Sequence, residues 1–111
     1  MHLRNRVLSM IGIAAKSGNV VSGEFATEKA IKTMRAYLVI VSEEASENTT
    51  HMFSNMTEFY ETPMVRFGTK DELGRCIGKE FRASLAIVDE NLANAIMSKI
   101  TAYEDSLAKT E

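Results

Sequence analysis

Enzymes need reactive groups that converge, so the histidines, the cysteine and the acidic pairs are the first residues to weigh. His2 stands near the chain start, and His51 lies beside an apolar helical stripe with no Cys or carboxylate at metal-ligand spacing. Cys76 is the lone cysteine; Arg75 and Lys79 nearby would favour its thiolate, yet it sits at an apolar helical position between Leu73 and Ile77 and reads as core. Asp89-Glu90 follows an apolar run, as an active site does in a doubly wound enzyme. With no base, nucleophile or metal ligand beside it, the pair reads as a helix cap. No catalytic residue, metal or cofactor is therefore predicted. Cys76 or Asp89 in a pocket with strongly shifted pKa values would be needed to revive an enzyme.

A different chemistry is suggested by "VVSGEFATEKAI" (20–31). A strand that turns through glycine into the open start of a helix is a frequent anion site. "SGEFATEK" lacks the glycine spacing of a Walker loop or a dinucleotide fingerprint, and Glu24 would repel a phosphate aimed along the helix axis. This stretch is thus no nucleotide cradle. A carboxylate at a helix start can instead accept hydrogen bonds from exocyclic base amines or from the helix's own amides. Lys29 and Lys32, further along, could reach a backbone phosphate or a guanine edge.

These residues need elements to position them. Leu3, Val7, Met10, Ile11 and Ala14 form one stripe of a helix that ends at Ser17-Gly18-Asn19. Val20-Val21 is a short strand, Ser22 a cap for the next helix, and Ala26, Ala30 and Met34 that helix's apolar positions. "AYLVIV" (36–41) reads as a central strand buried on both faces. "SEEASENTT" opens a third helix marked by Met52, Phe53, Met56, Phe59 and Tyr60 and stopped by Thr62-Pro63. "MVRF" (64–67) is a short strand near an edge, because Arg66 must reach water. Thr69 and Glu72 have capping-box spacing at the head of a helix that runs to Gly78. "ASLAIVD" is another buried strand, and Leu92, Ile96 and Ile100 mark a final helix that turns polar beyond Tyr103. The alternation predicts an α/β fold, a three-layer α-β-α sandwich in which parallel neighbours dominate, with the first strand free to pair antiparallel.

Size and charge bound the rest. The 111 residues suit one domain, taken as 1–103 with a polar C-terminal tail at 104–111. No apolar run approaches the ~20 residues of a membrane span. The basic, partly apolar N-terminus is interrupted at helical spacing, so an export signal is rejected, and the lone cysteine gives no disulfide framework. A cytoplasmic monomer is expected. The net charge of −2 argues against a generally basic nucleic-acid binder, but it is unevenly spread. Residues 1–40 hold six Lys/Arg against two Glu, and 41–63 hold five Glu and no base. Residues 64–82 hold five bases against three acids, and 83–111 two against five. A fold that brought 16–35 beside 75–82 would create one basic patch on an acidic body.

Three stretches carry a family likeness: "IGIAAKSGNVVSGEFATEKAIK" (11–32), "YLVIVSEEASENT" (37–49) and "DELGRCIGKEFRASLAIVDENLANAI" (71–96). In this order, they resemble the ribosomal protein L-seven-Ae / L-thirty-e superfamily, whose members bind kink-turn RNA, and most of all its short bacterial YlxQ-like branch. The resemblance implies a four-stranded mixed sheet and RNA binding without catalysis. It implies that the start of the second helix enters a widened major groove at sheared guanine–adenine pairs. Ser22, Gly23, Glu24, Lys29 and Lys32 would lie on that surface, with Gly23 and Lys29 matching the family's Gly-x-Asn-Glu-x-x-Lys pattern. Phe25 and Ala26 stand where that pattern has Asn and Glu. Two groups expected to bond guanine are thereby lost, each worth roughly 1–3 kcal/mol of discrimination, which weakens or redirects recognition. "SEEAS" (42–46), with Glu43 and Glu44, matches the segment beside the RNA-binding helix. "GKEFRAS" (78–84) matches the loop that covers an extruded nucleotide, here with Phe81 for stacking and Lys79 and Arg82 for phosphates.

The expected partner is therefore structured RNA, of the kink-turn or internal-loop kind, ribosomal RNA included. The rival is a protein-interaction adaptor on the same fold, in which the acidic 43–61 segment and Phe25 form the face.

Overall fold

The computed structural model describes residues 2–109. Helices and strands alternate along the chain as α1 (Leu3–Lys16), β1 (Val20–Ser22), α2 (Glu24–Lys32), β2 (Leu38–Val41) and α3 (Glu47–Phe59), then β3 (Met64–Arg66), α4 (Lys70–Cys76), β4 (Ser84–Ile87) and α5 (Glu90–Lys109). The strands form one four-stranded sheet in the order β1-β4-β2-β3. Every residue of β2 and β4 is buried, as their unbroken apolar runs require of strands covered on both faces.

Side chains alternate across the sheet with period two and divide the core into two layers. Leu38, Ile40, Leu85 and Ile87 point to one face and pack with Val7, Ile11 and Ala14 of α1, Leu73 of α4, and Ala93, Ile96 and Ile100 of α5. Val39, Val41 and Ala86 point to the other and meet Ala30 and Ile31 of α2 and Phe53 of α3. The result is the three-layer α-β-α sandwich with a four-stranded mixed sheet.

Strand direction departs from the sequence expectation. Only β2–β3 is parallel; β1–β4 and β2–β4 are antiparallel, so parallel neighbours do not dominate. The cause lies between α4 and β4. After Cys76 the chain reverses through Gly78, whose φ is 73°, and residues 79–83 double back along α4. The Lys79 amide donates to the Gly74 carbonyl at 2.8 Å, and the Arg82 amide to the Lys70 carbonyl at 3.1 Å. β4 consequently starts at the same end of the sheet as α4 and must run against β2. An apolar run reports burial on both faces; it carries no information on direction.

Helix ends follow local chemistry more closely. The Ser46 hydroxyl accepts from the Thr49 amide and caps α3, and Thr69 and Glu72 complete the capping box of α4. Asp89 Oδ2 accepts from the Leu92 amide at 2.9 Å, so the acidic pair after β4 does cap α5. Ser22 does not cap α2: it belongs to β1, and Gly23 is the cap residue without a side chain to offer. The buried face of α2 is Thr27, Ala30 and Ile31; Ala26 is half-buried, and Met34 lies beyond the helix and is exposed. α5 continues past Tyr103 to Lys109, because its polar residues are good helix formers that need no core contact. Thr110 and Glu111, the end of the expected tail, lie outside the described residues.

One polar cluster fastens three helices. Arg4 of α1 donates through Nε to Glu72 Oε2 at 2.9 Å and through Nη1 to the Tyr103 hydroxyl at 2.8 Å. Its guanidinium lies 5.1 Å from the Phe67 ring centroid, a cation–π contact, and Phe67 meets Tyr103 edge to face. The Glu72 carboxylate raises the pKa of Arg4, and the guanidinium holds the Glu72 carboxyl below its ordinary value.

Candidate nucleic-acid interface

Because β4 runs against its neighbours, the C-terminal ends of β1, β2 and β3 and the N-terminal end of β4 share one pole of the sheet. Four loops meet there: the turn at Ser22-Gly23, residues 42–46, residues 67–69, and residues 78–83.

The first and last of these are joined directly. Arg82 donates through Nε to Ser22 Oγ at 3.0 Å and through Nη1 to the Phe81 carbonyl at 3.0 Å. The Gly23 amide donates to the Ser84 carbonyl at 2.9 Å. Gly23 itself has φ 90° and ψ 163°, a conformation that a residue with a Cβ rarely adopts, although a Cβ there would touch nothing. Its role is conformational: it turns β1 into α2 within one residue.

Two phenylalanines flank the Ser22–Arg82 bond along the chain, and neither is core. Phe25, in the first turn of α2, is 81% exposed, and Phe81 is 69% exposed. Exposed aromatic rings at a loop cluster offer flat faces for stacking, and guanidinium and ammonium groups beside them suit phosphate oxygens. Lys79 is exposed on the same loop, in a groove shared with Asp71, Arg75, Glu80 and Phe81. Arg75 is held by Asp71 at 3.1 Å, one turn earlier on α4. α3, α4 and α5 all begin under side-chain caps, whereas α2 has none. No side chain caps its first-turn amides, as none caps those of α1, and exposed Glu24 stands beside them as a carboxylate acceptor.

The remaining predicted residues are Lys29, Lys32, Glu43 and Glu44. Lys29 and Lys32 occupy the last turn of α2. At 1.5 Å per residue, Lys32 stands about 12 Å along the axis from Glu24, and it is engaged by Glu28 at 3.0 Å. Lys29 is exposed and nearer. Glu44 turns toward α4, where its Oε1 accepts from the Lys70 amide at 2.8 Å. Glu43 faces Arg4 at 3.7 Å, and Arg66 clasps the loop by donating to the Glu43 carbonyl at 2.8 Å. These two glutamates brace the pole at its α1–α4 side, so the charge there is mixed rather than uniformly basic.

Of the residues weighed as catalytic candidates, Cys76 is a packing group. The Cys76 thiol donates to the Leu73 carbonyl, and burial pushes its pKa up to about 11, away from a reactive thiolate. His51 is exposed on α3, and Asp89 is occupied as a cap. Among the described residues no group of three His, Cys, Asp or Glu could hold a metal ion, and no helix is long and apolar enough to cross a membrane.

Sequence reading missed Gly74, and it missed what Arg66 holds. Gly74 accepts the folded-back loop, a requirement that only the three-dimensional approach of Glu80 reveals. Arg66 is exposed on the edge strand β3, as its charge requires; the clasp on carbonyls 23 and 24 residues away has no local signal.

Comparison with known proteins agrees with this architecture. Residues 5–97 match the profile of the ribosomal protein L7Ae/L30e/S12e/Gadd45 family. RNA-binding protein YlxQ of Bacillus subtilis is 37% identical over 89 residues, covering 80% of this chain and 89% of that protein. The YlxQ protein of Enterococcus faecium is 32% identical, covering 81% and 86%. Among solved structures, a protein of unknown function from Bacillus halodurans superposes with a TM-score of 0.83 at 28% identity, covering 86% of this chain and 96% of that one. The Giardia lamblia 15.5kD RNA binding protein shares the fold, with a TM-score of 0.76 over 93% of this chain and 88% of its own, at 21% identity. The chain belongs to the ribosomal protein L7Ae/L30e/S12e/Gadd45 family, in its bacterial YlxQ branch.

Proposed function

We propose that this protein binds structured RNA, without catalysis, through the pole where Ser22 and Arg82 meet. The observation that carries the reading is the pair of exposed phenylalanines that flank the residues of that bond along the chain, Phe25 on α2 and Phe81 on the 78–83 loop. The YlxQ relatives are RNA-binding proteins, which supports RNA as the ligand class.

In this reading Phe81 and Phe25 stack on unpaired or extruded bases, while Lys79 and Arg82 neutralise phosphates. Gly23 presents the uncapped start of α2 to the groove. Glu24 accepts from a base amine, and Lys29 reaches a phosphate from the outer face of α2. Ser22, Glu43 and Glu44 hold loops in register, and Lys32 adds long-range attraction only. The target is a kink-turn or internal-loop RNA, ribosomal RNA or another structured RNA, bound by a cytoplasmic monomer. With Phe25 and Ala26 in place of polar groups, shape and stacking weigh more than hydrogen-bonded readout of guanine.

The test is a titration against a labelled kink-turn RNA and a straight duplex of equal length, at two salt concentrations, with Lys29→Ala and Arg82→Ala beside the parent protein. Preference for the bent RNA, weakened by salt and by both substitutions, supports the assignment. Equal and feeble binding to both RNAs, unchanged by the substitutions, sinks it and leaves the protein-adaptor reading.

A further inference from the structure

The pole opposite the loops just described carries a second surface of different chemistry. Tyr37 precedes β2, Pro63 precedes β3, and Met34 follows α2, so all three gather at this end. Its backbone is closed by the Tyr37 amide donating to the Ile87 carbonyl and the Val39 amide to the Pro63 carbonyl, each at 2.9 Å. One cleft is lined by Met34, Tyr37, Tyr60, Pro63, Glu61 and Glu90. Met34 is 66% exposed and Tyr37 44%. Phe59, 78% exposed, sits edge to face against Tyr60 with ring centroids 5.0 Å apart. Aromatic rings, methionine and proline grouped this way match the composition of a protein interface core.

Backbone conformation adds a second observation. Met34 and Glu61 have φ of 60° and 56°. Each stands just beyond the cap residue of its helix, α2 or α3, at the site where glycine is strongly favoured. Both keep a side chain there, and both side chains line the cleft.

Charge selects the occupant. Residues 33–37, 58–63 and 88–94 hold Glu58, Glu61, Asp89 and Glu90 against a single base, Arg35. Among the described residues neither the Glu61 nor the Glu90 carboxylate has an ion-pair partner. Such a rim repels nucleic acid and anionic lipid and attracts positive charge. We propose that this cleft docks a lysine- or arginine-rich segment of another protein, anchored by an apolar side chain between Met34, Tyr37 and Tyr60. The site is separate from the RNA pole and stands whether or not that assignment holds.

The test is an NMR titration of the isotope-labelled full chain with three short synthetic peptides: one of lysine and leucine, one of lysine and serine with equal charge, and one of glutamate and leucine. The lysine–leucine peptide is expected to shift amides at 34–37, 58–63 and 88–94, and to bind more tightly than either control. In the double variant Glu61→Lys, Glu90→Lys its affinity should fall about tenfold or more, while RNA affinity does not fall. Met34→Ser serves as the apolar counterpart, with a loss of similar size. The proposal is overturned by shifts confined to 22–25 and 79–82, by equal affinity for the lysine–serine peptide, or by a double variant that binds as well as the parent. Failure of every peptide to bind overturns it too. So does concentration-dependent self-association in sedimentation that the double variant abolishes, since the occupant would then be a second copy of this chain.

Discussion

The carbonyl oxygen of Glu80 lies where a side chain at Gly74 would begin: a Cβ on Gly74 would come within 1.7 Å of it. No flexible side chain can give way there, because the clashing atom is backbone. Gly74→Ala must therefore push residues 78–83 off α4, breaking the bond from the Lys79 amide to the Gly74 carbonyl. Overpacking of this kind costs about 1–3 kcal/mol. We expect the melting temperature to fall and RNA affinity to fall further than stability alone explains, because Phe81 and Arg82 move with the loop. A fluorescence-anisotropy titration at a temperature where the variant stays folded separates the two effects.

Phe25 and Phe81 should behave as binding residues without being stability residues. Both rings are largely in water, so Phe25→Ala and Phe81→Ala should leave the melting temperature nearly unchanged. If each ring stacks on a base, each substitution should weaken RNA binding by about 1–3 kcal/mol, with the salt dependence intact. Loss of stability in either variant, with RNA affinity unaffected, would assign the ring a structural role instead.

The Arg4–Glu72 pair predicts how stability depends on acidity. The Arg4 guanidinium holds the folded-state pKa of Glu72 below the ordinary 4.5. As pH falls through 4.5 the unfolded chain takes up this proton before the folded protein does. Glu72 thus contributes fully above that value and progressively less below it, until the folded carboxyl is itself protonated. Glu72→Gln should cost about 1 kcal/mol near neutrality, since the pair is partly solvated. The difference between variant and parent should shrink as acid is added. Chemical denaturation at several pH values reads this directly; a constant difference at all pH would separate Glu72 from acid stability.

Cys76 should react slowly. With its thiol pKa raised to about 11 by burial, little thiolate exists at neutral pH. Labelling by a maleimide or disulfide reagent should be far slower than for a free thiol in a peptide, and should accelerate in denaturant. Rapid labelling of the native protein would show α4 opening away from α1.

Much of the fold is legible in the residues themselves. The capping box at Thr69 and Glu72, the Asp89 cap and the buried runs of β2 and β4 each follow from local chemistry, and each is present. Periodicity did less well where helices end. Met34 keeps the four-residue spacing of α2 but lies past its end, and Phe59 sits on α3 facing water. Apolar character marks a side chain as able to be buried; only the packed neighbours decide whether it is. The candidate interface was harder. "VVSGEF" and "GKEFRAS" each suggested a surface, but nothing within either stretch says that Arg82 will reach Ser22. That contact follows from strand order and from the reversal at Gly78, both settled by the whole chain. The direction of Glu44, toward the head of α4 instead of α2, has the same origin.

The doubling-back of residues 79–83 also sets when the interface comes into existence. Ser22 and Arg82 are 60 residues apart, and Arg4 is 68 from Glu72 and 99 from Tyr103. Contacts of such separation form late, after the entropy of closing long loops has been met. During synthesis, α2 and its exposed Phe25 emerge well before β4 inserts between β1 and β2 to lock the pole together. A growing chain therefore has no assembled Ser22–Arg82 pole, the surface proposed for RNA, until its last strand is threaded. If RNA binds at this pole, competence to bind reports that the sheet is complete.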